Sequence, residues 1–140
     1  ILLSKEMIER AIKTAPKQFT LHGRDPNRSI HIGGDSVHFG TGGAAVQTLD
    51  IDTAQYRQST LEDLHHFTRL QDALRNVSWF TRCCVATDVP DNFDLDVNTV
   101  FALLKNTTKP VATSFTIAPH VAPIVRMLDI AAGGEGELQN

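Results

Sequence analysis

Apolar positions along the chain change period more than once, and each change marks a new set of elements. Met7, Ile8, Ala11, Ile12 and Ala15 recur at helical spacing behind Ser4, whose hydroxyl suits a helix cap, and Pro16 ends the run. This predicts an amphipathic helix over 5–15. Between 22 and 60 the pattern shortens. His22-Gly23-Arg24-Asp25-Pro26-Asn27-Arg28 is turn chemistry, Ser29-Ile30-His31-Ile32 alternates, and Gly33-Gly34-Asp35-Ser36 turns the chain before the short strand Val37-His38-Phe39. After Gly40-Thr41-Gly42-Gly43, the stretch Val46 to Asp52 alternates again, Thr53-Ala54-Gln55 turns, and Tyr56-Arg57-Gln58 returns. Short strands this close together predict antiparallel ribbons.

From Thr60 the period lengthens. Thr60 and Asp63 resemble a capping box, with Asp in place of the usual Glu, and Leu61, Leu64, Phe67, Leu70 and Leu74 form a helical stripe over 61–75, closed by Asn76. Val77 to Ala86 reads as a buried strand, followed by an acidic loop from Asp88 to Asp96. Val97, Val100, Phe101 and Leu104 predict a helix ending near Asn106, and Val111 to Ile117 is a second buried strand. Pro119 suits a helix start, Val121, Ile124, Val125, Leu128 and Ile130 continue it, and Gly133-Gly134 stops it. Near-continuous apolar strands separated by helices imply parallel crossovers, so Trp79–Ala86 should lie parallel beside Val111–Ile117 with helices on one face.

The expected fold class is therefore α/β: the first units of a partial (β/α)8 barrel of the TIM type, preceded by a helix and short antiparallel ribbons. The boundaries fall at 1–60 and 61–140. A whole barrel needs about 250 residues, and this chain should supply about two of its eight units. Such a piece is expected to leave the stripes Leu61/Leu64/Phe67 and Val121/Ile124/Val125/Leu128 exposed. A homo-oligomer, or association with the rest of a longer enzyme, would cover them.

Composition narrows the function. Among 140 residues, 41% are hydrophobic and 21% charged, as in ordinary globular domains, and 13 basic against 16 acidic side chains leave a net charge of -3. Without a basic block, nucleic-acid binding has no electrostatic support. The apolar runs are too short to span a membrane, and Ile1-Leu2-Leu3 passes at once to polar Ser4-Lys5-Glu6, so no signal peptide is expected. Cys83 and Cys84 are neighbours, which a disulfide could join only with strain; free thiols suit a reducing, cytoplasmic setting.

Candidate chemistry is sparse. Gly40-Thr41-Gly42-Gly43-Ala44-Ala45 matches the dinucleotide pattern G-x-G-x-x-A, but an alternating stretch follows where a helix should. A turn between ribbons, or a bare backbone approached by a small ligand, fits better. None of the histidines at 22, 31, 38, 65, 66 and 120 forms an i, i+4 pair, and no zinc spacing occurs, so no metal is expected. Cys83 and Cys84 should face opposite sides of their strand. In the acidic loop, Asp94 or Asp96 should cap or charge the following helix. Arg82, inside an apolar strand, is either a pocket-edge charge or a strand-end residue, and Trp79 and Phe80 belong to a core before they belong to an aromatic cage.

One combination is more specific. Val37-His38-Phe39-Gly40-Thr41-Gly42-Gly43-Ala44-Ala45 resembles a segment of the trimethylamine methyltransferase family, and Gly23-Arg24-Asp25-Pro26, Ile32-Gly33-Gly34, Thr60-Leu61-Glu62-Asp63-Leu64 and Leu70-Gln71-Asp72-Ala73-Leu74 follow suit in order. The resemblance implies a much longer barrel enzyme of which this chain is about the first third. It implies demethylation of a methylamine or a betaine, with the methyl group handed to a corrinoid (cobalamin) held by a separate partner protein. Some members carry pyrrolysine and related ones use glycine betaine; that position would lie beyond Asn140. No residue here acquires a catalytic role. Binding roles are expected for His38, Phe39, Thr41, Gly42, Arg82, Thr87 and Phe115. The alternatives are a non-enzymatic α/β module for a small ligand or a partner, and a fragment of a nucleotide-binding oxidoreductase.

Overall fold

The computed structural model describes residues 2–134; Ile1 and residues 135–140, the close of the expected 61–140 unit, lie outside the described residues. Helix α1 (Lys5–Thr14) starts where Ser4 Oγ accepts the Met7 amide, as the pattern predicts, and every one of its residues is exposed. Two small antiparallel ribbons follow. Strand β1 (Phe19–Leu21) pairs with β2 (Ile30–Ile32), in the register Phe19 to Ile32 and Leu21 to Ile30. Strand β3 (Gln47–Leu49) pairs with β4 (Tyr56–Gln58), and Asp50 knits their turn by accepting from the amides of Asp52 and Thr53 and from the Thr53 hydroxyl. The expected strand Val37-His38-Phe39 does not form; β2 pairs back instead with β1, whose short segment behind Pro16 carries no turn signal to mark it as a strand.

Helix α2 (Leu61–Ala73) opens with both halves of the Thr60/Asp63 capping box in place. Strand β5 (Phe80–Thr81) leads through the acidic loop to helix α3 (Asn92–Asn106), then to strand β6 (Val111–Ala112) and helix α4 (Val121–Ala132). Helix α3 begins earlier than expected because Asp91 is its cap, accepting from the amides of Phe93 and Asp94. Asp94 charges the first turn as expected, whereas Asp96 caps nothing and points inward. Strands β5 and β6 are parallel, Phe80 opposite Val111 and Thr81 opposite Ala112. The pairing is shorter than the apolar runs suggested. Arg82 N–H still donates to Ala112 O at 3.3 Å, but beyond Ala112 the chain swings off and Thr116 bonds to Asp96 instead.

The glycine-rich stretch departs from its expected role as a turn. Gly40 bridges Trp79 and Ala45 bridges Cys84, both in the parallel sense. Ser78 N–H donates to Phe39 O (2.7 Å), Ala45 N–H to Cys83 O (3.0 Å) and Val85 N–H to Ala45 O (2.9 Å). The segment around β5 thus has parallel neighbours on both sides, and its hydrogen bonds cross the expected boundary at residue 60. Gly40 makes room for an indole: a Cβ there would stand 2.1 Å from Trp79 Cε2.

Helices α2 and α3 pack together on one face of this arrangement, where Leu64, Phe80, Cys84, Ala102 and Leu103 form the core and Leu61, Phe67 and Val111 flank it. The two stripes expected to be exposed are therefore not: Leu64 and Ile124 have no solvent exposure, while Leu61, Phe67, Val125 and Leu128 are half-buried and only Val121 stays exposed. Among the described residues α1 does leave an apolar face uncovered, through Met7, Ile8 and Ile12. Both thiols are free, and Cys83 packs against the same core as Cys84 rather than facing away from it, because the strand is irregular there. The described residues make a mixed α/β fold of four α-helices and two-stranded sheets with no closed barrel, and none of their helices is long and apolar enough to cross a membrane.

Candidate functional site

Parallel segments place their carboxyl ends on one edge. Here those ends are Ala45–Val46, Val85–Asp88 and the residues after Ala112, and in parallel α/β architectures ligands gather at that edge. Ser59, between β4 and α2, ties the edge together. It is fully buried, with Oγ 2.6 Å from Val85 O and 3.2 Å from Ala45 O. Its amide donates to Val46 O, and its carbonyl accepts both the amide (2.9 Å) and the hydroxyl (2.8 Å) of Thr87. Next to it, Arg57 grips Asp63 through two nitrogens at 2.6 and 2.7 Å and reaches Asp50 at 3.3 Å. The guanidinium holds the Asp63 carboxyl well below the usual carboxylate range.

Beyond β6 a second polar group collects. Asp96 Oδ2 accepts from the Thr116 amide (2.9 Å) and hydroxyl (2.8 Å) and pairs with His120 Nδ1 at 2.7 Å, while the Phe93 ring stands edge-on to the imidazole at 5.2 Å. Burial disfavours the Asp96 charge, but the donors from His120 and Thr116 outweigh it and keep the carboxyl below its ordinary value. The other oxygen, Oδ1, is buried with no hydrogen-bond partner among the described residues.

The structure distributes the expected binding residues unevenly. Thr41 Oγ1 donates to Thr81 O (2.7 Å) and accepts the Thr81 amide (3.0 Å), so its hydroxyl is committed to the sheet. Gly42 is exposed and would meet nothing with a Cβ. Arg82 is half-buried one residue past the Thr41 contact. Thr87 lies at the carboxyl edge on Ser59, and Phe115 follows β6 with 37% exposure. His38 and Phe39 precede the first bridge, at the amino end of their segment. His38 Nε2 is bonded to His31 O at 2.8 Å, and the Phe39 ring is largely exposed. They are not brought to Thr87 and Phe115. Among the described residues no three His, Cys, Asp or Glu side chains converge.

A cavity of about 390 Å³ opens elsewhere, at the amino end of β6, lined by Arg24, Leu104, Lys109, Val111 and Leu128. There the buried Lys109 ammonium donates to the carbonyls of Gln71 and Leu74 and so caps the end of α2. Sequence reasoning missed Ser59 and the Asp96–Thr116–His120 group. Ser59 had one signal, a small polar residue between an alternating run and a helix cap. The other group had none, since its members are brought together only by the turn after β6.

The sequence profile of the trimethylamine methyltransferase family matches residues 1–140. The trimethylamine methyltransferase MttB of Desulfitobacterium hafniense is 28% identical over 99% of this chain and 28% of its own length. A glycine betaine methyltransferase from another strain of that species is 31% identical over 96% of the chain and 28% of its own length. A trimethylamine methyltransferase of Methanosarcina mazei is 27% identical over 78% of the chain and 23% of its own length. The chain thus spans less than a third of the length of these curated relatives. With a profile match from end to end, the chain belongs to the trimethylamine methyltransferase family.

Proposed function

We propose that this chain is the amino-terminal part of a methyltransferase that moves a methyl group from trimethylamine, or from a quaternary amine such as glycine betaine, to the cobalt of a corrinoid protein. The observation that carries this reading is the family match over 1–140, joined to relatives named for both substrates. A quaternary ammonium offers no hydrogen-bonding group, so its site needs aromatic faces and low-dielectric walls. Phe115 supplies one such face beyond β6, and the half-buried Arg82 could pair with the carboxylate that a betaine carries and trimethylamine lacks. The corrinoid, bound to its own protein, supplies the cobalt that accepts the methyl group. Exposed Val46, Phe115 and Ile117 at the carboxyl edge suit the approach of a large apolar macrocycle from outside, which asks this chain for no metal ligand.

In this reading the segment is the beginning of a barrel, and alone it turns over nothing, because most of the strand ends that would surround the substrate belong to the remaining length. The full-length protein is incubated with methyl donor and reduced corrinoid protein, and demethylated amine is measured. Turnover of trimethylamine or glycine betaine supports the reading; none with either donor ends it. Arg82→Ala is expected to raise KM for glycine betaine more than for trimethylamine.

A further inference from the structure

We infer that Ser59 is a positioning residue for the substrate edge: it pins the carboxyl end of the glycine-rich segment to that of the neighbouring parallel segment and so sets where Thr87 presents itself. The inference rests on the proposed methyl transfer for its link to activity, but its geometry stands alone. A serine with no solvent exposure must satisfy its hydroxyl internally. Its single proton is shared between two different segments, with Val85 O at 2.6 Å and Ala45 O at 3.2 Å. Its backbone repeats the pattern, donating to Val46 O and accepting from Thr87 twice. Every bond therefore falls on a carboxyl end, and none on the core beneath. Its position in sequence explains why one residue can do this: it closes β4 and precedes the capped start of α2, so the crossover from the glycine-rich segment to the β5 segment passes through it.

Thr68 provides the contrast. It is equally buried, but its hydroxyl donates to Leu64 O at 2.7 Å, a bond that stays within α2. Losing a buried hydroxyl should lower stability at both sites, but only at Ser59 should it move the edge.

The test uses the full-length protein with Ser59→Ala, Ser59→Thr and Thr68→Val, all compared with wild type. Amide hydrogen exchange reads positioning without any assay of turnover. In Ser59→Ala the Thr87 amide should exchange about tenfold faster, the equivalent of roughly 1.4 kcal/mol; in Thr68→Val it should not. Steady-state kinetics read the consequence: Ser59→Ala should raise KM several-fold with kcat nearly kept, Ser59→Thr should recover most of the loss, and Thr68→Val should leave KM unchanged at a similar melting temperature. Equal exchange at Thr87 in Ser59→Ala and Thr68→Val would overturn the inference, as would equal KM. If Ser59→Ala does not fold, Ser59→Cys, which keeps the size and only a weak donor, is read by the same two measurements. A wild-type protein inactive on both methyl donors defeats the functional reading instead, and the exchange data still decide the positioning.

Discussion

Thr41 uses its side chain as a strand would use its backbone: Oγ1 gives a hydrogen bond to the Thr81 carbonyl at 2.7 Å and takes one from the Thr81 amide at 3.0 Å. On either side the segments pair directly, Gly40 with Trp79 and Ala45 with Cys84, so the hydroxyl fills the interval where the main chain bows away. A motif that looks like a nucleotide loop on paper thereby becomes a sheet neighbour.

Replacing Thr41 with valine keeps the shape and removes both bonds. We expect Thr41→Val to destabilise the protein by about 1–3 kcal/mol, because the Thr81 amide and carbonyl are left unpaired, while Thr41→Ser should cost well under half of that. Urea unfolding midpoints of the two variants check it; equal midpoints would show that water satisfies Thr81.

Gly40 and Gly42 should behave oppositely. Gly40→Ala forces a Cβ against the Trp79 indole and should cost about 1–3 kcal/mol through overpacking. At Gly42 a Cβ meets nothing, so Gly42→Val should fold normally. If Gly42 contributes to binding, as the family resemblance leads one to expect, Gly42→Val should still impair methyl transfer in the full-length enzyme. Thermal melts alongside turnover separate the two effects, and unchanged turnover in Gly42→Val removes it from the site.

Asp63 predicts a pH dependence. Its folded carboxyl is held below the ordinary value by Arg57, so the stabilisation is fully present above the unfolded carboxylate pKa of about 3.9 and is lost as pH falls through the lower folded value. Asp63→Asn should therefore flatten the acid limb of the stability curve below about pH 4 and also lower stability at neutral pH. Denaturant titrations from pH 7 downward measure this. An unchanged acid limb would mean the pair is formed equally in the unfolded chain.

Asp96→Ala strips three donors of their acceptor at once: the Thr116 amide, the Thr116 hydroxyl and His120 Nδ1. We expect a loss of about 3 kcal/mol, larger than for His120→Ala, since three hydrogen bonds to a buried carboxylate are lost where His120→Ala removes one. Calorimetric melts of the two variants rank them, and a smaller loss for Asp96→Ala would mean that the unpartnered Oδ1 already offsets most of the gain.

Local patterning was legible wherever an element satisfies itself along the chain. The cap at Ser4, the Thr60/Asp63 box and the stripe of α2 all depend on residues within a few positions, and each appears as predicted; the β3–β4 ribbon also forms, but its turn begins at Asp50, inside the stretch expected to be strand. The parallel sense of β5 and β6 was also readable, because a helix between two apolar runs leaves the chain no short antiparallel return. Family membership came from short motifs in a fixed order along the chain.

What the sequence could not decide depends on partners far along the chain. Nothing local distinguishes Gly40-Thr41-Gly42-Gly43 as a turn from the same residues as a parallel neighbour of Trp79–Cys84; the difference is made by Thr81, forty residues on, which needs a partner that the bowed backbone cannot supply. The burial of Leu64 and Ile124 is hidden from the sequence for the same reason: a stripe shows that a face is apolar, and only packing shows that the face is already covered. Ser59 is unremarkable beside Thr60 until Ala45, Val85 and Thr87 converge on it. The sequence by itself determined the helices, most of the ribbons and the family, because those are written in neighbours. The tertiary structure decided which segments share an edge, because backbone groups must find partners wherever the packed chain leaves them.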